Sequence, residues 1–334
     1  MTRTTLLSGV AAALAFAGAT GTAQAQVDEL TVAYFLEWPM PFQYAKQKGM
    51  YEEAMGIPIN WVSFDTGTAM SAAMASGDVQ LAVSQGVPPF VVATSAGQDL
   101  QALDVAVSYS ENDNCVVQSS LEIDKDSADE LAGKKAAVPL GTAAHYGFLR
   151  QMEHFGVDTS GMEIVDMAPA EGAAALAQGS VDMACGWGGA LRRMKEHGNV
   201  LLTGPEKEDL GILVFDLTSA PAAFVSENPD LVAQFLSVTA EANEMWNSGE
   251  NRDEMIEVIA KDAGMEPSVA ASTLETFVFP PAEEQLSEKW LGRGAPEFMS
   301  GVAQVFVEAG SIQSARESYA DAINTDPLQA AADM

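Results

Sequence analysis

From Leu30 onward, short runs rich in Val, Ile and aromatic residues alternate with longer Ala-rich stretches, and the alternation predicts strands and helices in turn. Strands are expected at 30–35, 59–64, 79–83 and 100–108, with helices over 41–54, 70–77 and 88–95 between them. The rhythm then starts again, with strands at 115–118, 135–139, 163–167 and 181–185 and helices at 127–131, 142–155 and 171–179. From Pro221 the apolar spacing turns helical, over 229–245, 252–263, 267–274 and 296–308. One passage is said twice. Ala75-Ser76-Gly77-Asp78-Val79-Gln80-Leu81-Ala82-Val83-Ser84 is echoed by Ala177-Gln178-Gly179-Ser180-Val181-Asp182-Met183-Ala184-Cys185-Gly186. Each copy closes a helix on a Gly suited to a left-handed cap, then enters a short apolar strand. A solenoid repeats every 20–50 residues or so; this spacing is far longer and predicts two similar α/β lobes.

Alternating strands and helices imply parallel, doubly wound sheets. The chain is expected to build a first lobe from 27–108, a second from 109–219, and to return to the first with 220–334. It would then cross between lobes near Ser108 to Asn114 and again near Phe215 to Pro221. Two crossings make a hinge, and two lobes enclose a cleft.

Composition narrows the function. Met1 to Ala25 reads as a secretory signal peptide, with Arg3, the apolar run Leu6 to Ala17 and the small-residue site Ala23-Gln24-Ala25. Export to the periplasm and a monomeric receptor are expected. No later run approaches the ~18 uninterrupted apolar residues of a membrane span. The formal charge of −31 argues against nucleic acid and anionic membrane as partners. Two cysteines, Cys115 and Cys185, both fall in strands of the second lobe. In an oxidising compartment they make a disulfide or remain two buried thiols.

Catalytic patterns are missing: no G-x-S-x-G, H-E-x-x-H, Walker loop or G-x-G-x-x-G occurs. Three scattered histidines make no metal site, and no cofactor is expected. Strand ends are the natural ligand site of such sheets. They present Glu37-Trp38, Asp65-Thr66, Ser84-Gln85, Thr142-Ala143 with His145, and Trp187 between two glycines. Thr66 and Thr142 open helices whose free N–H groups suit an anionic head. Asp216, inside an apolar strand, needs a cation or several donors to stay charged.

At these residues the chain resembles the taurine-binding periplasmic proteins of ABC importers, within the wider nitrate/sulfonate/taurine-binding family. The matching stretches are Val32-Ala33-Tyr34, Phe64-Asp65-Thr66-Gly67, Ala75 to Gln80, Ala137-Val138-Pro139, Thr142 to Tyr146, Gly186-Trp187 and Leu213-Val214-Phe215-Asp216. Gly188-Gly189 departs from the pattern, where relatives often carry Ala-Pro. The resemblance implies a type II periplasmic binding fold that closes on taurine or a related zwitterionic sulfonate and delivers it to a permease. Another alkanesulfonate, a small amine-bearing carboxylate or nitrate are the alternatives, and a Cys185-dependent desulfinase-like enzyme is the rival class. On this reading Ser84, Thr142, Ala143 and His145 surround the anion, Trp187 lies against the carbon chain, and Asp216 with Glu37 meets the ammonium. The family's sheet order also implies that the strands of Cys115 and Cys185 are neighbours.

Overall fold

The structure is a computed structural model that describes residues 27–334 and the first two; the rest of the expected leader, to Ala25, lies outside the described residues. The chain opens with β1 (Leu30–Tyr34), α1 (Phe42–Lys48), α2 (Met50–Met55), β2 (Ile59–Ser63), α3 (Gly67–Ser76), β3 (Leu81–Gly86), α4 (Val87–Ser95) and β4 (Leu100–Ser108). It continues with β5 (Asp113–Gln118), β6 (Lys135–Val138), α5 (Ala143–Phe155), β7 (Glu163–Asp166), α6 (Pro169–Ala177), β8 (Met183–Trp187), α7 (Gly188–Lys195), β9 (Gly198–Asn199) and α8 (Gly204–Asp209). The last part holds β10 (Phe215–Pro221), α9 (Ala222–Glu227), α10 (Pro229–Ser248), α11 (Arg252–Ala263), α12 (Pro267–Leu274), α13 (Ala282–Gln285), α14 (Gly294–Glu308) and α15 (Asp326–Ala332).

Two five-stranded sheets result, in the orders β2-β1-β3-β10-β4 and β7-β6-β8-β5-β9. The plan is the same in each: three parallel strands, then an antiparallel one that has crossed from the other end of its lobe. β3 is buried along its whole length, as a strand covered on both faces must be. The repeated passage has a structural meaning. The Gln80 side-chain Oε1 accepts the Thr31 N–H at 2.9 Å, and the Gln80 N–H donates to the Thr31 carbonyl. Asp182 does the same to Lys135, Oδ2 accepting the N–H at 2.8 Å while its own N–H donates to the Lys135 carbonyl. In each lobe the echoed polar residue therefore clamps the start of the first parallel strand.

Three expectations shift. The helix expected over 41–54 is broken at Gly49, whose φ of 70° ends α1 and starts α2, a conformation open to Gly at no steric cost. Both echoed strands begin two residues late, because Gln80 and Asp182 act as side-chain clamps before the ladder starts. The second crossing also lies earlier than expected. Phe215–Pro221 is a strand of the first sheet, antiparallel between β3 and β4, so residues 215–219 belong with lobe 1 and the return runs through the segment before Phe215.

Cys115 and Cys185 stand opposite one another in the β5–β8 ladder and are joined as a disulfide, with Cα atoms 3.9 Å apart. Among the described residues no helix is long and apolar enough to cross a membrane.

Candidate functional site

The strand ends and first helical turns of both lobes meet around a narrow cavity. Phe35, Trp38, Gly67, Gly86, Pro89 and Asp216 wall it from lobe 1, Thr142, Ala143 and Trp187 from lobe 2, and Tyr109 from the hinge.

One wall is a buried carboxylate. Asp216 is 2% exposed; its Oδ2 accepts from the Ser84 hydroxyl at 2.6 Å and its Oδ1 from the Tyr109 hydroxyl at 2.7 Å. Ser84 accepts in turn from the Trp38 indole N–H at 3.0 Å, and that ring packs on Tyr109 and Phe277 with centroids 4.7 and 4.6 Å away. Ser84 reaches this position with a φ of 62°, a left-handed backbone uncommon outside Gly, beside the irregular β3–β10 register. Burial pushes the Asp216 carboxyl up to about 7, against the Ser84 and Tyr109 hydrogen bonds, which pull it down. The aromatic packing excludes water, and the two donors hold the carboxylate in place.

Two helix starts also line the cavity. α3 and α5 each begin at a Thr whose side chain accepts a backbone N–H, Thr66 from Ala69 and Thr142 from His145. The first N–H groups of either helix have no intrahelical partner. The two helix starts meet across the seam: a Cβ on Gly141 would stand 3.2 Å from Thr68. Gly67 and Ala143, the first residues of the two helices, both face the cavity. The lining therefore combines a negative carboxylate with the positive ends of two helix dipoles.

Of the residues singled out in the sequence, Trp38, Thr142, Ala143, Trp187 and Asp216 line this cavity, with Ser84 hydrogen-bonded to Asp216. Trp187 meets Phe35 of the other lobe with ring centroids 5.9 Å apart. Gln85 is buried beside them but spent on structure, donating to the Gly67 carbonyl and the Ser71 hydroxyl and accepting from Ser219. His145 is turned to a different task. Its Nδ1 accepts the Gly141 N–H at 3.1 Å, its ring stacks on Phe306 of α14, and burial lowers its pKa to about 4. A neutral ring docked on lobe 1 brings no positive charge to an anion.

Glu37 is not in this lining. It lines a wider outer chamber with Asp65, and Arg193 holds its carboxylate by three hydrogen bonds of 2.8–3.0 Å across the lobes. A Cβ on Gly188 would strike the Glu37 carbonyl at 2.6 Å, and one on Gly189 the carboxylate at 2.7 Å, so the glycine pair lets the lobes close to this distance. Sequence reasoning passed over Tyr109, Phe35 and Asp113. Asp113 and Asn114 precede an apolar strand, the same signal that picked out Asp216.

Two lobes of this topology around a cavity at the strand ends define the two-lobed periplasmic binding protein fold of type II. The solved alkanesulfonate-binding protein of Xanthomonas axonopodis, bound to MOPS, matches 90% of this chain and 99% of its own with a TM-score of 0.73 at 22% identity. The periplasmic aliphatic sulphonate binding protein of Escherichia coli matches 87% and 95% with a TM-score of 0.67 at 23% identity. In sequence, the taurine-binding periplasmic protein of Escherichia coli K12 is 25% identical over 310 residues, covering 92% of this chain and 94% of that protein. The chain belongs to the family described as NMT1/THI5 like, which it matches over residues 39–248.

Proposed function

We propose that the protein captures a small zwitterionic sulfonate in the periplasm, taurine foremost, and delivers it to an ABC permease in the inner membrane, without chemical turnover. The observation that carries this reading is a cavity lined both by buried Asp216 and by the starts of α3 and α5. A sulfonate suits unpaired helix N–H groups, and a primary ammonium suits a carboxylate that has two donors and no cation of its own. Trp187 and Phe35 offer apolar surface for the short carbon chain between the two heads. The names of the taurine-binding relative and the sulfonate-binding structures support the same class. Against the enzyme alternative, Cys185 is bonded to Cys115, which leaves it no thiolate to act as nucleophile.

Calorimetric titration with taurine, ethanesulfonate, β-alanine and nitrate tests the reading. Taurine should bind tightest, and ethanesulfonate weaker by about tenfold or more, because it leaves the buried carboxylate unpaired. Ethanesulfonate equal to taurine removes the ammonium from the reading. Binding of β-alanine alone assigns the protein to carboxylates, and turnover of any ligand ends the receptor reading.

A further inference from the structure

Behind the lobe 2 wall lies a second buried carboxylate. Asp113, at the start of β5, is 1% exposed and stands opposite Trp187 in the β5–β8 ladder, so the two side chains share one face of the sheet. That face carries the disulfide two residues along and is covered by α5; Asp113 Oδ1 lies 3.7 Å from where a Cβ on Gly147 would stand. Its other oxygen, Oδ2, is buried with no hydrogen-bond partner. Among the described residues the one buried Lys or Arg is Lys207, 1% exposed, whose Nζ donates to the main-chain carbonyl of Asp113 instead.

We propose that Asp113 selects for a cationic group in the cavity without touching it: the hinge buries Asp216, Asp113 and Lys207, and a ligand ammonium cancels the single negative charge left over. This rests on the zwitterion reading and deepens it. The carboxylates belong to different lobes, Asp216 to the first sheet and Asp113 to the second, and both are buried beside the cavity, Asp113 opposite Trp187 and Asp216 on Tyr109. A cation between them turns their mutual repulsion into attraction, and a neutral or purely anionic ligand does not. The groups that face the pair are the Ser84 and Tyr109 hydroxyls on Asp216, and Lys207 beside Asp113, with Glu111, Glu208 and Lys195 around Lys207. The ladder pairing with cavity-lining Trp187 sets Asp113 against the cavity wall, and burial raises both carboxyls to about 7, with Asp113 adding to the rise of Asp216 and of Tyr109. A cation that requires both carboxylates ionised must then displace protons when it binds near or below pH 7.

Titration calorimetry of the wild type and of Asp113→Asn tests this, with taurine and ethanesulfonate, between pH 6 and 8, in two buffers of different protonation heat. Asp113→Asn should weaken taurine by about tenfold, leave ethanesulfonate unchanged or tighter, and lower the number of protons released at pH 6.5. The same variant should melt higher without ligand, since it removes an unpaired buried charge. Equal losses for both ligands, an unchanged taurine affinity, an unchanged proton count or a lower melting temperature overturns the proposal and leaves the zwitterion reading standing. A wild type with no preference for taurine over ethanesulfonate, or for β-alanine over propionate, overturns the two together. A preference only within the carboxylate pair changes the anionic head, and Asp113→Asn is then judged on that pair.

Discussion

Lobe 1 wraps its sheet in α10, α11, α14 and the end of the chain, and its apolar residues form one core from Leu30 to Ala331. Lobe 2 carries the same strand order over less material, and its core is split into two clusters on opposite faces of the sheet, one around Phe148 and Met152, the other around Leu176 and Met194. The disulfide sits in the thinner lobe, between the strand that enters from the hinge and the strand that ends at Trp187. A small core leaves less margin against chain entropy, and a cross-link that shortens the unfolded chain makes up part of the difference. Lobe 1, with core to spare, instead tolerates a left-handed Ser84 and a buried Asp216 at the cavity.

Removing the staple breaks that comparison most severely. With the cysteines 70 positions apart in sequence, the Cys115→Ala, Cys185→Ala double variant should lose about 4 kcal/mol in the chain-entropy account. Amide exchange should accelerate across β5 and β8 and stay slow in β1 and β3. Equal acceleration in both sheets would mean that the lobes unfold as one unit and that the staple serves the whole molecule.

The next effect comes from pH. Burial lifts Asp104 to about 6 and Asp113 and Asp216 to about 7, whereas unfolded aspartate titrates near ~4. A raised carboxyl favours the protonated fold, so this stability is complete below about pH 4 and is lost as pH rises through 6 to 7. His145 works the other way, since its lowered pKa gives stability that is lost on acidification toward 4. With three groups against one, the ligand-free protein should melt higher at pH 5.5 than at pH 8, by on the order of a few kcal/mol. An ammonium ligand should reverse the trend by binding better at the higher pH. Melting curves that rise with pH without ligand would show that these carboxyls are ionised and compensated.

A smaller change probes the seam where the lobes meet. Gly188 has a φ of 55° and a carbonyl 2.6 Å from its missing Cβ, so Gly188→Ala should hold the lobes apart and weaken ligand by about tenfold while each lobe stays folded. Scattering that shows the ligand-bound variant as compact as the wild type would contradict this.

Much of the lobe plan was legible because the echoed passage repeats a structural unit, down to the clamp residues Gln80 and Asp182. The site was legible where burial and charge conflict within one strand, as at Asp216, or where a helix start announces itself, as at Thr142. Partners that close only across the lobes were not. Arg193 gives no sign along the chain that it will take Glu37, and nothing near His145 says that Phe306, far along in α14, will cover its ring. Tyr109 reads as a linker residue until the hinge brings its hydroxyl to Asp216.

The central claim is that Asp216 receives the ligand's ammonium. The direct test crosses Asp216→Asn with removal of the amino group, measuring taurine and ethanesulfonate on both proteins. The account predicts that Asp216→Asn costs taurine at least ~1.4 kcal/mol, about tenfold, more than it costs ethanesulfonate. Equal costs for the two ligands, with no coupling between carboxylate and amine, would contradict it.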